Sequence, residues 1–180
     1  MTSILKVDTL QDSGGNAILS SDGAGNITYT TGATGMGKVL QVQSTTKTDS
    51  FSTTSTSFTD ITGLSVSVTP TSTSNKILVM VCIGTHDATA ASTGAYQIVR
   101  GSTAIGVGST STAATMGFTI EADRGEGMSM NFLDSPSTTS ATTYKLQMRS
   151  PSGNTLYVNE RQGNTDYRTI STITVMEIAG

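Results

Sequence analysis

The strongest constraint on the fold of this chain is a series of short segments in which apolar and polar residues alternate. The segment Leu64-Ser65-Val66-Ser67-Val68 alternates without interruption and stops just before Pro70. Similar segments recur at intervals of roughly ten residues, and no stretch keeps an apolar face at helical spacing over three turns. The pattern therefore predicts an all-β fold, with an antiparallel, jelly-roll-like β-sandwich over residues 38–180.

Two of these segments carry more specific predictions. The run from Ile77 to Ile83 is continuously apolar, which predicts a strand buried on both faces. Cys82 lies in this run and is expected to be a small buried residue rather than a reactive thiol. The final segment, 170–178, changes its apolar phase near Ile173, which indicates a bulge or a strand buried on both sides, paired inside a sheet.

The first thirty-one residues form a separate small segment with an internal repeat. Asp12-Ser13-Gly14-Gly15-Asn16 is echoed by Asp22-Gly23-Ala24-Gly25-Asn26, which predicts strands joined by tight Gly-Asn turns. Strands this short need a partner surface to stay folded, so residues 1–31 are predicted to be an attachment or trimerisation segment. A Gly-rich linker is predicted at 32–37. The residues expected to make the attachment are Ile4, Leu5, Val7, Leu10, Asn16, Ile18, Asn26 and Ile27.

Charge and hydropathy exclude two classes of partner. The chain has 10 Lys and Arg residues against 13 Asp and Glu residues, and the basic residues are scattered along it. Nucleic-acid binding requires a basic stripe, so no nucleic-acid partner is expected. No apolar run approaches the ~20 residues of a membrane-spanning helix, so no membrane insertion is expected. No signal peptide is predicted after Lys6, which indicates synthesis in a cytoplasm.

The Gly-rich stretch from Gly32 to Val39 satisfies part of a phosphate-binding loop pattern. Two glycines with four residues between them precede Lys38, but Val39 stands where the pattern needs Ser or Thr. Strand alternation follows, whereas a phosphate loop must open a helix. The stretch is therefore interpreted as a linker, and no cofactor is predicted.

The remaining polar residues do not assemble into a recognisable catalytic or metal site. His86 is the single histidine and is interpreted as a solvent-facing turn residue beside Asp87. The charged stretch from Glu121 to Glu126 lacks the spacing of a calcium loop and is interpreted as a solvated loop tip. Glu160 and Asp166 are of the right type for a glycosidase pair, but sequence does not give their separation. We expect no catalytic residues, no metal site and no enzymatic activity.

Several stretches carry a resemblance to a known family. The opening SILKVDTLQDSGGNAILSSDGAGNIT resembles the amino-terminal segment of tail-fibre and virion structural proteins of marine bacteriophages of the cyanophage and pelagiphage type. The stretches GLSVSVTPTSTSNKILVMV, LDSPSTTSATTYKLQMRSPSGNTLYVNE and ISTITVMEIAG are similar to the carboxy-terminal β-domain of the same proteins. The resemblance implies a homotrimeric virion protein made in a bacterial host.

Two functions are compatible with this resemblance. The first is a short tail-fibre or appendage protein that docks to the virion through its amino terminus and contacts the host surface, with a cell-surface glycan as candidate receptor. The alternative is a trimeric capsid decoration (cement) protein that clamps capsomers through its amino-terminal arm. The expected partners are further copies of the chain and other tail or capsid proteins. Binding is expected on loops held by a rigid scaffold, here 85–94, 108–127 and 160–168. The candidate receptor-facing residues are His86, Asp87, Glu121, Asp123, Arg124, Arg161, Asp166 and Tyr167.

Overall fold

The computed structural model describes residues 7–29, 38–110, 112–162 and 164–180, with the backbone alone for 27–29, 165 and 166. These residues divide between two compact units, Met1–Gly37 and Lys38–Gly180. Every regular element in the described ranges is a β-strand, which confirms the all-β prediction. The described part of the chain contains no helix long and apolar enough to cross a membrane. Ile4, Leu5 and the predicted linker 32–37 lie outside the described residues.

The first unit is a three-stranded antiparallel meander of β1 (Thr9–Gln11), β2 (Ala17–Ser21) and β3 (Ile27–Tyr29). The ten-residue repeat forms its two turns. The Asp12 carboxylate accepts hydrogen bonds from the backbone N–H groups of Gly14 (2.8 Å) and Asn16 (2.9 Å). The Asp22 carboxylate does the same in the second turn. No residue from 7 to 26 is buried, so these strands enclose no core of their own.

The second unit contains thirteen strands, all paired antiparallel. In chain order they are β4 (Val39–Lys47), β5 (Phe51–Thr53), β6 (Thr59–Val68), β7 (Lys76–Ala88), β8 (Ser92–Arg100), β9 (Thr103–Ile105), β10 (Met116–Ile120), β11 (Glu126–Asp134), β12 (Thr142–Arg149), β13 (Leu156–Val158), β14 (Glu160–Arg161), β15 (Asn164–Arg168) and β16 (Ser171–Ile178).

Eleven of these strands form the two sheets of a β-sandwich. The six-stranded sheet has the order β4-β16-β7-β13-β5, with β11 paired to β7. The five-stranded sheet has the order β10-β8-β12-β6, with β9 paired to β8. Inward side chains from both sheets, such as Val79 and Val175 from the first and Ile98 and Leu146 from the second, form one apolar core. The remaining strands, β14 and β15, form a small hairpin.

Strand β7 lies inside the six-stranded sheet and alternates between a buried and a more open face. Ile77, Val79, Val81 and Ile83 point into the core, while the residues between them are half-buried or exposed. The prediction of a strand buried on both faces is therefore wrong. Cys82 is exposed, which corrects the expectation that it is buried. The reason is that the sandwich covers only one face of this sheet in the described part of the chain.

The final strand, β16, lies between β4 and β7, which confirms the prediction that it pairs inside a sheet. It alternates regularly, with Ile173 and Val175 buried, and its register irregularity falls at Glu177/Ile178 opposite β4. The predicted bulge near Ile173 is therefore wrong. The change of apolar phase arises because the inward position 177 is filled by a glutamate.

Glu177 is fully buried and anchors the turn between β6 and β7. Its carboxylate accepts hydrogen bonds from Gln41 Nε2 (2.5 Å), from the backbone N–H of Thr71 (2.6 Å) and from Asn75 Nδ2 (2.6 Å). Burial alone raises the pKa of this carboxyl, but the hydrogen bonds outweigh burial and hold its pKa at about 2. The buried charge is thus compensated by its donors, and it ties the turn to the last strand.

Close packing of aromatic rings in the core depends on Gly94. Phe118 on β10 pairs with Gly94 on β8, and its ring stacks on Tyr96 with centroids 5.1 Å apart. A Cβ atom at position 94 would lie 2.1 Å from Phe118 Cζ. A side chain at this position and the observed ring position are therefore incompatible.

We predict that Gly94→Ala destabilises the protein by about 1–3 kcal/mol, because the Phe118 ring must leave its place in the core. Gly117→Ala is the matched control, since a Cβ there meets its nearest atom at 3.9 Å. Urea unfolding measures both. Equal stabilities of the two variants would contradict the packing described here, and adding Phe118→Leu should recover part of the loss in Gly94→Ala.

Candidate functional site

The turns of the second unit converge at one end of the sandwich, which we call the loop end. It comprises residues 89–91, 121–125 and 150–155 together with the β14–β15 hairpin. Strand pairing brings these segments together, since Ile120 pairs with Ser92 and Val158 pairs with His86. Segments that lie far apart in sequence therefore share one surface.

Side-chain contacts join these segments to one another. Arg161 on the hairpin donates from Nε to Asp123 Oδ1 at 2.6 Å, and its Nη2 lies 2.6 Å from Asp123 Oδ2. Asn154 Nδ2 donates to Ser92 Oγ at 2.8 Å, and Gln162 Nε2 donates to the Ala88 carbonyl at 3.1 Å. The hydrogen bond from Arg161 lowers the pKa of Asp123, and the pKa of Arg161 is raised in return. Because both side chains are exposed, the pair orients the loop more than it stabilises the fold.

An open groove of about 650 Å³ runs across the loop end. Glu121, Arg124 and Glu126 supply its charges, and Arg124 Nε lies 3.3 Å from Glu121 Oε2. Hydroxyl groups, including those of Ser92 and Ser152, line the remainder. The groove thus offers hydrogen-bond donors and acceptors of both charge signs to a polar ligand. Among the described residues no group of three His, Cys, Asp or Glu side chains is placed to hold a metal ion.

Two of the predicted receptor-facing residues are buried. His86 retains 1% of its exposure and Asp87 retains none, so the interpretation of both as loop residues is wrong. Strand β7 extends past its apolar run to Ala88 because β11 and β13 continue to pair with it. Asp87 still contributes to the loop end from below, since its Oδ1 accepts a hydrogen bond from the backbone N–H of Arg124 at 3.2 Å.

His86 lies in an aromatic environment between the two sheets. Its ring centroid is 4.3 Å from that of Phe118 and 6.2 Å from that of Tyr96. Neither ring nitrogen has a hydrogen-bond partner in the described part of the chain. Burial lowers the pKa of His86, although the nearby carboxylates of Glu126 and Asp87 act in the opposite direction. The neutral imidazole therefore belongs to the core.

The other predicted residues lie at the surface of the loop end where the structure describes them. Glu121, Asp123 and Arg124 are exposed between β10 and β11, and Tyr167 is 47% exposed on β15. The side chain of Asp166 lies outside the described residues. The predicted loops are shorter than expected, because β7 and β8 occupy most of 85–94, β10 lies within 108–127, and 160–168 forms the hairpin.

Sequence reasoning missed the hydroxyl and amide groups of the site. Ser92, Ser152 and Asn154 join the β7–β8 turn to the segment after β12. Serine and threonine are so frequent in this chain that no sequence signal separates these residues from the rest. Glu160 was considered as a glycosidase acid, and its carboxylate instead pairs with Arg168 Nη1 at 2.5 Å.

Comparisons with known proteins return little for this chain. No family model matches it, and no curated protein matches it. A chain from the structure of infectious bursal disease virus Gx strain is similar over 77% of this chain at 17% identity, with a TM-score of 0.30. The match spans 37% of the viral chain. A TM-score of this size carries no argument about fold or function.

We predict that His86 makes the protein less stable in mild acid. Its pKa is lowered on folding, so the unfolded chain binds the extra proton, and stability falls as the pH drops below the ordinary value of 6.5. The loss should approach about 1.4 kcal/mol per pH unit. Because His86 is the single histidine, urea unfolding between pH 8 and pH 5.5 isolates it. The control is His86→Leu, which should show a flat profile, and identical profiles for the two proteins would refute a buried neutral imidazole.

Proposed function

We propose that this chain is a non-enzymatic surface protein of a marine bacteriophage virion, and specifically a short tail-fibre or appendage protein. In this proposal residues 1–31 attach it to the particle, and the loop end of the second unit contacts the host. A host cell-surface glycan is the proposed receptor, and the protein acts as a homotrimer.

The observation that carries the proposal is the construction of the loop end. Four separate segments are held by a rigid two-sheet framework and joined by side-chain contacts such as Arg161 with Asp123. Between them lies an open groove whose charged groups, Glu121, Arg124 and Glu126, are all exposed. Such a surface suits reversible binding of a polar ligand, because hydroxyls, carboxylates and a guanidinium are all presented at once.

The first unit supports the attachment half of the proposal. Its strands bury no residue in the range 7–26, and Val7, Leu10 and Ile18 are each at least half exposed. A meander of this size gains stability only when its apolar side chains meet another surface. A neighbouring virion protein would supply that surface.

The position of the protein on the particle tests the proposal. We expect quantitative mass spectrometry of purified virions to give at most a few dozen copies per particle, with antibody labelling at the tail in the electron microscope. Hundreds of copies over the head would replace the proposal with the decoration function. Absence of the chain from purified particles would contradict both.

A second prediction concerns the groove itself. Arg124→Ala and Glu126→Gln should each lower binding of the purified protein to host cells by about tenfold, since each removes a charged hydrogen-bonding group worth roughly 1.4 kcal/mol. Lys145→Gln is the control, because Lys145 pairs with Asp60 on the five-stranded sheet, outside the groove lining. Equal binding by all three variants would remove the groove from the receptor contact.

A further inference from the structure

The side of the six-stranded sheet that faces away from the core forms a surface of its own, which we call the outer face. It is built by β4, β16, β7 and β11, whose registers place outward residues side by side. Three rows cross the four strands in this order: Thr46, Thr172, Cys82 and Ser129; then Ser44, Thr174, Met80 and Asn131; then Val42, Met176, Leu78 and Leu133.

None of these twelve side chains carries a charge, and the third row is apolar from one edge of the sheet to the other. Val42 and Leu133, at its two ends, are 50% and 52% exposed. Ile178 and Val39 continue the apolar surface beyond the third row. A shallow depression of about 340 Å³, lined by Met80 and Cys82 among others, lies in the middle of the face. A continuous apolar band of this kind marks an interaction surface.

We propose that the outer face is the surface through which copies of this chain associate. The argument for a second copy as the partner rests on charge. A face that meets its own copy brings each charged group close to a like charge or strips it of water, and both are unfavourable. The outer face avoids this cost, because charged residues such as Lys76 lie only at its border. A partner with a charged surface would gain no complementary charge here.

The size of the face is consistent with self-association. Neighbouring strands lie about 4.8 Å apart and alternate residues along a strand about 6.8 Å apart, so four strands and four rows cover about 500 Å². Two copies would bury about 1,000 Å² in total, which is near the lower limit for a specific protein interface. Association through this face alone should therefore be reversible and dependent on concentration. The inference does not rest on the virion proposal, and it concerns the surface rather than the number of copies.

Variants at the two ends of the apolar row test the inference. Leu133→Lys and Val42→Lys each place a charge in the face at a site where the side chain is already half exposed, so the fold should survive, which circular dichroism and thermal unfolding will check. Val107→Lys is the control, since Val107 is also partly exposed and follows β9, which belongs to the five-stranded sheet. Sedimentation of the full chain over a range of concentrations should show association weakened at least tenfold by Leu133→Lys and Val42→Lys and unchanged by Val107→Lys.

Cys82 provides a local readout, because it is the single cysteine and lies in the outer face. Its alkylation by a maleimide reagent should slow as the wild-type chain associates and stay fast in Leu133→Lys. The proposal is overturned if the wild-type chain is monomeric throughout, or if both lysine variants associate like wild type. It is also overturned if the chain associates while Cys82 keeps its monomer reactivity, which is the result expected for association through residues 1–31.

Discussion

The rest of the second unit depends on backbone pairing along both edges of β7. Residues 77–82 are hydrogen-bonded to β11 on one side and to β16 on the other, and the strand then continues beside β13. Its inward residues supply one side of the core, opposite side chains such as Leu64, Ile98 and Leu146 from the five-stranded sheet. A strand paired on both edges has no free edge, so this strand is protected from pairing with other molecules.

The same strand links the core to the loop end. His86 completes the aromatic packing with Phe118 and Tyr96, and the next residue, Asp87, accepts a hydrogen bond from the backbone of Arg124 in the groove. The position of the exposed loop is thus set by a carboxylate that is itself fully buried. Functional groups at the surface inherit their geometry from pairing that begins ten residues earlier in β7.

The sequence allowed the fold class to be predicted, because the alternation in Leu64–Val68 and the lack of helical periodicity are local properties. Where a prediction failed, the cause lies in distant pairing. Cys82 was expected to be buried because its run is continuously apolar, but burial depends on whether a second layer covers that face. His86 was expected in a loop because polar residues follow the apolar run, but β11 and β13 extend the strand through it. For the site, the exposed charges of Glu121 and Arg124 were predictable, whereas the hydroxyl groups of Ser92 and Ser152 were not.

Charge is distributed unequally over the second unit, and this suggests a division between its surfaces. The groove at the loop end presents charges of both signs, whereas the twelve residues of the outer face present none. The loop end lies at the ends of the strands and the outer face on their flank, so copies that meet through the flank leave their loop ends accessible. Several loop ends presented together would turn weak individual contacts into firm attachment.

Hydrogen exchange of the full chain, followed residue by residue, tests most directly the claim that doubly paired β7 organises the second unit. The account predicts that the paired backbone amides of residues 78–83 in β7 and 172–176 in β16 exchange slowest, with rates set by global unfolding, while those of β1 and β2 exchange far faster. Exchange in β7 as fast as in β1 and β2 would contradict it, because the strand would then not be the stable centre of the sandwich.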